Sequence, residues 1–496
     1  MEKEKYLYGA AIQGIQGFIF KTDELKDIVG ASELVESICT EEFNEFGSDS
    51  NQTIVKAAGN IKYVFCSKHD CEKAVLEFPK KVMEVAPGIS VSQAVVGFNT
   101  DDEFADAVTK LEEKLKVQRN KQQSTIHGFM SMRRSRHTGN PVVKKVKEEF
   151  LDAGTFAKRE TSYNSRENPT MELSKMCFGI NEIKNEQIAY NIEDITSKND
   201  WIAIIHADGN GLGQVVQKVG NDKDKFREFS TNLNTATKEA AVNAYNSISD
   251  RFDATKKIPI RPIVLGGDDF TVICSADFAV EYTQRFLEEF EKTTEKLLGE
   301  LLIENKVFQN NAPYLTACAG IAFIKSSYPF HYGYGLAEEL CKEAKTEARK
   351  GKKQSELTPS CLMFHKVQDS FVDNFKDIEH RELTAINGTS FKYGPYYLKP
   401  DNSNATVVKL IENVKLLDCK EGSAVKSHLR EWLSDMLYDT EMAQQKLERL
   451  KSNIKSKQKL LGLVNKATET AKIAAYDILS LHSIMYNQTK EDKYND

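Results

Sequence analysis

Two stretches of this chain lie over two others in the same order. IVKAAGNIKYVFC (54–66) has the pattern of IVLGGDDFTVICS (263–275), and ISVSQAVVGF (89–98) has that of YLTACAGIAF (314–323). The apolar periodicity around them repeats as well. In the first half it reads as a strand at Tyr6–Ile12, a Gly/Gln turn at 13–17, a helix from about Ile28 to Phe43, a hairpin over 53–66, a helix around 70–85 and a strand at Ile89–Phe98. In the second half it reads as a strand at Trp201–Ala207, a helical stretch over 222–248, strands Pro262–Leu265 and Phe270–Cys274, a helix over 277–303 and a closing strand at Tyr314–Ile324. Each half has the β-α-β-β-α-β order of a ferredoxin-like unit. Short apolar strands also resemble one another by chance, but recurrence of both motifs, with the elements around them in one order, favours an internal duplication.

The expected fold class is therefore α+β. Two ferredoxin-like domains would occupy residues 1–110 and 196–370, with a helical or irregular connector over 111–195 and a C-terminal helical domain over 371–496. Helical spacing of Leu429, Trp432, Leu433, Met436 and Leu437 supports the last of these. The Gly/Pro/Asn-punctuated stretch 370–405 reads as irregular connection, and the tail KEDKYND as frayed. With 67 Lys+Arg against 73 Asp+Glu, the net charge of −6 excludes a uniformly basic nucleic-acid coat, though not a local basic groove. No secretory signal and no run of about 18 apolar residues is present. Cysteines such as Cys274 and Cys318 lie inside apolar strands, so reduced core thiols and a cytoplasmic location are expected.

The sharpest chemical signal is Gly266-Gly267-Asp268-Asp269 between two β-branched runs. Glycines permit a tight turn that holds both carboxylates on a rigid tip. Asp-rich turns are common on their own. Here Asp208 ends the preceding strand, which in a βαββ sheet lies beside the hairpin, so three carboxylates converge. Their repulsion would be relieved by hard divalent cations, which favours two-metal phosphoryl or nucleotidyl transfer. Gly209, Asn210, Gly211 and Gly213 then open a helix, whose N-terminus suits a phosphate.

IQGFIFKTDELKDIVGASELVESI (15–38), HADGNGLGQVV (206–216), LGGDDFTVICSADFA (265–279), LTACAGIAF (315–323) and LAEELCKEAK (336–345) resemble the large subunit of type III CRISPR effector complexes. That family carries two polymerase/cyclase palm domains and joins ATP into cyclic oligoadenylates, second messengers of antiviral defence. The resemblance implies that Asp208, Asp268 and Asp269 hold two Mg²⁺ or Mn²⁺ ions, and that Lys345 contacts the triphosphate of ATP. It further implies that Gly209, Asn210, Gly211, Gly213, Gly266 and Gly267 border the nucleotide, and that Gly30, Ala31 and Ser32 of the first palm help to hold one. Guide RNA and other CRISPR effector subunits are the implied partners.

The sequence departs from that family at three places. It starts at the first palm strand, without the HD nuclease domain of many members, and His69-Asp70 has no ligand set around it, so DNA cleavage is not expected. The aspartate pair of the first metal motif is Asp208-Gly209-Asn210, where Asn210 brings no charge to either the metal or the base. No C-x-x-C pair for a zinc module is found; Cys66, His69 and Cys71, with the distant Cys177, make a weak candidate. The first palm has Ala57-Ala58-Gly59-Asn60 in place of the acidic tip, so it is read as a degenerate palm that binds a second nucleotide or only duplicates the fold.

Basic patches lie at Arg133-Arg134-Arg136, Lys144-Lys145-Lys147, Arg349–Lys353 and a C-terminal run of Lys446, Arg449, Lys451, Lys455, Lys457 and Lys459. Each fits a solvated helix face, and the last is the strongest candidate for RNA backbone contact, being dense over a short helix. His206 reads as a packing residue at a strand end, and Tyr393–Tyr397 as a segment that could border the cleft. The preferred function is a metal-dependent cyclic-oligonucleotide synthase. The alternatives are a non-catalytic palm scaffold of a guide-RNA complex and a stand-alone nucleotide cyclase.

Overall fold

The computed structural model describes residues 4–57, 59–100, 103–120, 129–164, 173–179, 183–196, 200–252, 256–353, 355–369, 374–400, 405–469 and 472–486. Ala58 and the tail KEDKYND lie outside them.

The first repeat runs β1 (Lys5–Gln13), α1 (Ile15–Ile19), α2 (Leu25–Ser37), β2 (Thr53–Ala57), β3 (Asn60–Phe65), α3 (Lys68–Val85), β4 (Ser90–Phe98) and α4 (Phe104–Arg119). Its antiparallel sheet has the order β2-β3-β1-β4. The expected turn at 13–17 is mostly the short helix α1, and the helix expected to run to Phe43 ends in a π-helical turn, Ile38–Glu42. Phe43 leaves that turn to stack on Tyr8 of β1 and edge onto Phe78 of α3, which closes this core. His69-Asp70 belongs to the first turn of α3, where the Asp70 amide donates to the Ser67 hydroxyl, an ordinary helix cap.

Between the repeats stand β5 (Val142–Val146), β6 (Glu149–Asp152), α5 (Ala153–Asn164) and α6 (Leu173–Phe178). The connector is thus not only helical or irregular: β5 and β6 pair as a hairpin. Arg133 lies 3.3 Å over the Phe150 ring and Lys144 4.0 Å over that of Phe156, so part of the basic patch packs locally.

The second repeat runs β7 (Trp201–Gly209), α7 (Leu212–Val219), α8 (Lys223–Asn246), β8 (Ile260–Gly266), β9 (Asp269–Ser275), α9 (Ala279–Glu304) and β10 (Ala317–Lys325). Its order β10-β7-β9-β8 repeats that of the first sheet. Strands β7 and β10 are buried along almost their whole length, which explains their unbroken apolar sequence rather than an alternating one. Two strands extend this sheet. α10 (Phe330–Arg349) is the crossover to β11 (Cys361–Lys366), which runs parallel to β10, and Gly320 lets the helix approach, since a Cβ there would fall 2.0 Å from the Ala337 carbonyl oxygen. After α11 (Phe375–Arg381) comes β12 (Tyr396–Tyr397), the edge strand. The YGPYY segment therefore builds the sheet edge, with the Tyr396 hydroxyl bonded to Asp477, and the described part of the expected irregular connection, 374–400, holds a helix and a strand.

The C-terminal helices are α12 (Val407–Leu417), α13 (Gly422–Met436), α14 (Thr440–Asn453), α15 (Gln458–Ala467) and α16 (Ala475–Met485). The basic run is split between α14, a turn and α15, rather than lying on one short helix. Two of its lysines are already paired, Lys446 to Asp435 at 2.6 Å and Lys457 to Glu421 at 3.4 Å.

The two repeats meet along α2, β2, α8 and β8. Lys223 reaches Gln52 at 3.1 Å, Arg227 donates to the Asn51 carbonyl at 2.9 Å, and Phe20 stacks on Tyr334 at 4.3 Å.

Candidate functional site: a carboxylate cluster beside a basic cavity

The tip between β8 and β9 is a two-residue turn. Gly266 pairs with Asp269, and Gly267 takes φ +61°, a conformation that favours glycine. This fixes Asp268 at the tip and Asp269 at the start of β9. β7 runs antiparallel beside β9 and ends at Asp208-Gly209. Carboxylate oxygens of Asp208, Asp268 and Asp269 consequently all lie within 4.8 Å of one another, the one group with metal-ligand spacing among the described residues. Burial, then repulsion from Asp269 and Asp208, pushes the Asp268 carboxyl up to about 8. Burial and repulsion from Asp208 push Asp269 up to about 6. A donor set that resists its own ionisation in this way fits a hard divalent cation.

Gly209 is required by crowding, because a Cβ there would come 2.6 Å from Leu212 and 2.9 Å from Asp268. Gly211, at φ +80°, caps α7, while Gly213 faces open space. Asn210 does not reach the carboxylates. Its backbone N–H donates to the Thr316 carbonyl at 2.7 Å and its side-chain amide to Thr316 Oγ1 at 3.2 Å, a buried anchor for the loop.

Lys345 of α10 is hydrogen-bonded to Asp208 and donates to the Gly209 carbonyl at 2.8 Å. Burial works against its charge, and the neighbouring Asp208 carboxylate outweighs that, so its pKa is raised and the ammonium stays charged. A cavity of about 660 Å³ opens beside it, lined by Gly209, Gly211, Gly213 and the face of α10 that carries Lys342, Lys345, Thr346 and Arg349. Lys342 and Arg349 were not singled out for this site, although their spacing of three and four residues from Lys345 puts them on its helix face.

A second, smaller cavity of about 130 Å³ lies between the repeats and includes Gln16, Ser32, His206, Gly266, Asp269 and Tyr334. Gln16 donates to the Tyr334 hydroxyl across it at 2.9 Å. His206 is buried, with Nδ1 3.0 Å from Thr271 Oγ1, and burial lowers its pKa. Of the expected Gly30-Ala31-Ser32 set, only Ser32 lines this cavity. Gly30 is turned to α5, where a Cβ would fall 1.8 Å from the Lys158 carbonyl oxygen, and Ala31 is fully buried. Both are packing residues: the glycine exists because two helices cross there. Ser32 itself donates to the carbonyl of Ile263, at the bulge in β8 where the ladder skips a register.

Residues 201–354 match the family model described as Cas10/Cmr2, second palm domain. No curated protein matches the chain in sequence. In fold, the chain is similar to a Csm1–Csm4 cassette in complex with cA4, at 13% identity over 98% of this chain and 70% of that one, with a TM-score of 0.57. It is similarly close to the cassette with one ATP (14% identity, 98% and 70% covered, TM-score 0.56). A third match is the Csm1–Csm4 subcomplex of a type III-A CRISPR-Csm interference complex (14% identity, 97% and 69% covered, TM-score 0.57).

Proposed function

We propose that this chain, Cas10-like over residues 201–354, joins ATP into cyclic oligoadenylates at the tip of its second palm, within a type III CRISPR effector complex. The observation that carries the reading is the convergence of Asp208, Asp268 and Asp269 within 4.8 Å beside the Lys345 cavity.

Asp208, Asp268 and Asp269 would hold two Mg²⁺ or Mn²⁺ ions, which when bound supply charge stabilisation at the α-phosphate and a more acidic attacking 3′-hydroxyl. The remaining work belongs to the chain. Lys345, Lys342 and Arg349 present positive charge to the triphosphate, and the amides at the start of α7 offer donors to its oxygens. Gly209, Gly211 and Gly213 keep the loop free of side chains so that phosphate approaches backbone. Gly266 and Gly267 hold the tip in place. Asn210 acts as the loop's anchor and not as a ligand. Ser32 and Gln16, from the first palm, border the smaller cavity together with Asp269, which suits the nucleotide that supplies the attacking hydroxyl. Support for this reading comes from the residues of the site, from the family match over 201–354, and from a fold shared with Csm1 chains solved with ATP and cA4. The same fold similarity to Csm1–Csm4 assemblies supports other effector subunits, with guide RNA, as partners.

The test is pyrophosphate release from ATP by the effector complex assembled with target RNA and Mg²⁺. Asp208→Asn is expected to abolish it; release at the unaltered rate would refute the assignment.

A further inference from the structure

A second polar cavity, of about 500 Å³, lies where the far end of the second sheet meets the C-terminal helices. Trp201 opens β7 at that end, and seven residues at roughly 3.3 Å each put it about 23 Å from Asp208. Lys366, the last residue of β11, sits with its ammonium 4.6 Å over the Trp201 ring and donates to Ser483 at 2.6 Å. Lys325 lies 4.6 Å over the same ring. Arg430, on α13, lines the cavity with Lys366, as do Ser480 and Ser483 of α16. Neither Lys366 nor Arg430 makes an ion pair among the described residues. The carboxylate that does line the cavity, Glu382, is engaged by Arg381 at 2.8 Å and His365 at 3.6 Å. Burial, then Lys325 and Arg430, lower the pKa of Lys366 to about 8, so its charge lacks compensation. Tyr476 and Phe391 supply aromatic wall.

Lys366 and Arg430, with no ion pair among the described residues, favour an anion, as carboxylates gathered together favour a cation. Serine hydroxyls beside them suit phosphate oxygens, and the aromatic wall suits a base. We propose that this cavity is a further nucleotide site, apart from the two at the palm tip, in which Lys366 and Arg430 receive the phosphate of a nucleoside monophosphate and the apolar wall receives its base. It is independent of the carboxylate cluster, so it stands or falls apart from the catalytic reading.

The chain has two tryptophans, Trp201 and Trp432. The Trp432 indole N–H is buried without a hydrogen-bond partner, so Trp432→Phe leaves Trp201 as sole reporter at little cost. This protein is titrated with AMP and with inorganic phosphate in EDTA, which also keeps divalent ions from the carboxylates. The expected result is a saturable change in Trp201 emission, tighter for AMP than for phosphate. Arg430→Ala should weaken AMP binding by about tenfold or more, Arg430→Lys should restore part of it, and Asp268→Ala/Asp269→Ala should leave it unchanged. Arg430 acts on Lys366, which covers the Trp201 ring, so each variant's ligand-free emission is its own baseline and affinity is read from the midpoint of the titration. No saturable change, a response indifferent to Arg430, phosphate binding as tightly as AMP, or a response to RNA oligonucleotides alone would each overturn the proposal.

Discussion

The ammonium of Lys345 and the carboxylate of Asp208 form an ion pair at the mouth of the cavity, and the same ammonium holds the Gly209 carbonyl at 2.8 Å. One lysine thus ties α10 to the end of β7 and sets the loop that follows. Lys345→Ala should raise the apparent KM for ATP by about ten- to a hundredfold, the range of one or two charge-assisted hydrogen bonds. Steady-state kinetics checks this; an unchanged KM counts against a phosphate role.

Without divalent cations the carboxylate cluster opposes folding as pH rises. Asp268 and Asp269 have folded pKa values near 8 and 6, above their ordinary carboxyl value of 3.8, so the native state binds more protons than the unfolded state between them. Their favourable contribution is complete below about pH 4 and is lost as pH rises through 6 and 8. Thermal melts in EDTA should therefore show this contribution falling from pH 5 to pH 8. Asp268→Asn should flatten the fall and raise Tm at pH 8 by on the order of 2–4 °C. Mg²⁺ should raise Tm more at pH 8 than at pH 6, because fewer protons have to leave. Equal slopes for wild type and Asp268→Asn would refute the repulsion.

Arg261 of β8 and Glu33 of α2 are fully buried 3.7 Å apart, and Arg261 also donates to Ser174 at 2.9 Å. Glu33 adjoins Ser32, so two neighbouring residues of the first palm grip the strand that leads into the acidic tip. Arg261→Met should destabilise by about 3–5 kcal/mol, since it takes the guanidinium away from a buried carboxylate. The double variant Arg261→Met/Glu33→Leu should recover much of that. Ser32→Ala should cost about 1 kcal/mol. Denaturant titration of wild type, Arg261→Met, Glu33→Leu and the double variant measures the coupling, and additive losses would show that the pair is not a clamp.

The duplicated order of elements and the acidic tip were legible because both are local: a glycine turn between β-branched runs, and a strand ending in Asp208. What was hidden depends on tertiary contact. β11 reads as an ordinary apolar run, and only the α10 crossover brings it beside β10. Gly30 carries the same sequence signal whether it borders a ligand or lets α5 pass, and the Lys158 carbonyl oxygen, 1.8 Å from where a Cβ would stand, decides for the latter. Asn210 sits one residue past the end of β7, yet its side chain turns to Thr316. The C-terminal lysines look continuous until the turn after Asn453 divides them. Lys342 and Arg349 could have been found from helical spacing alone, once Lys345 was placed.

The most direct test of the central claim is mass spectrometry of the products formed from ATP and Mg²⁺ by the effector complex with target RNA. Cyclic oligoadenylates are predicted from the wild-type chain and none from Asp268→Ala/Asp269→Ala. Undiminished cyclic product from that double variant, or no cyclic product from the activated wild-type complex, would contradict it.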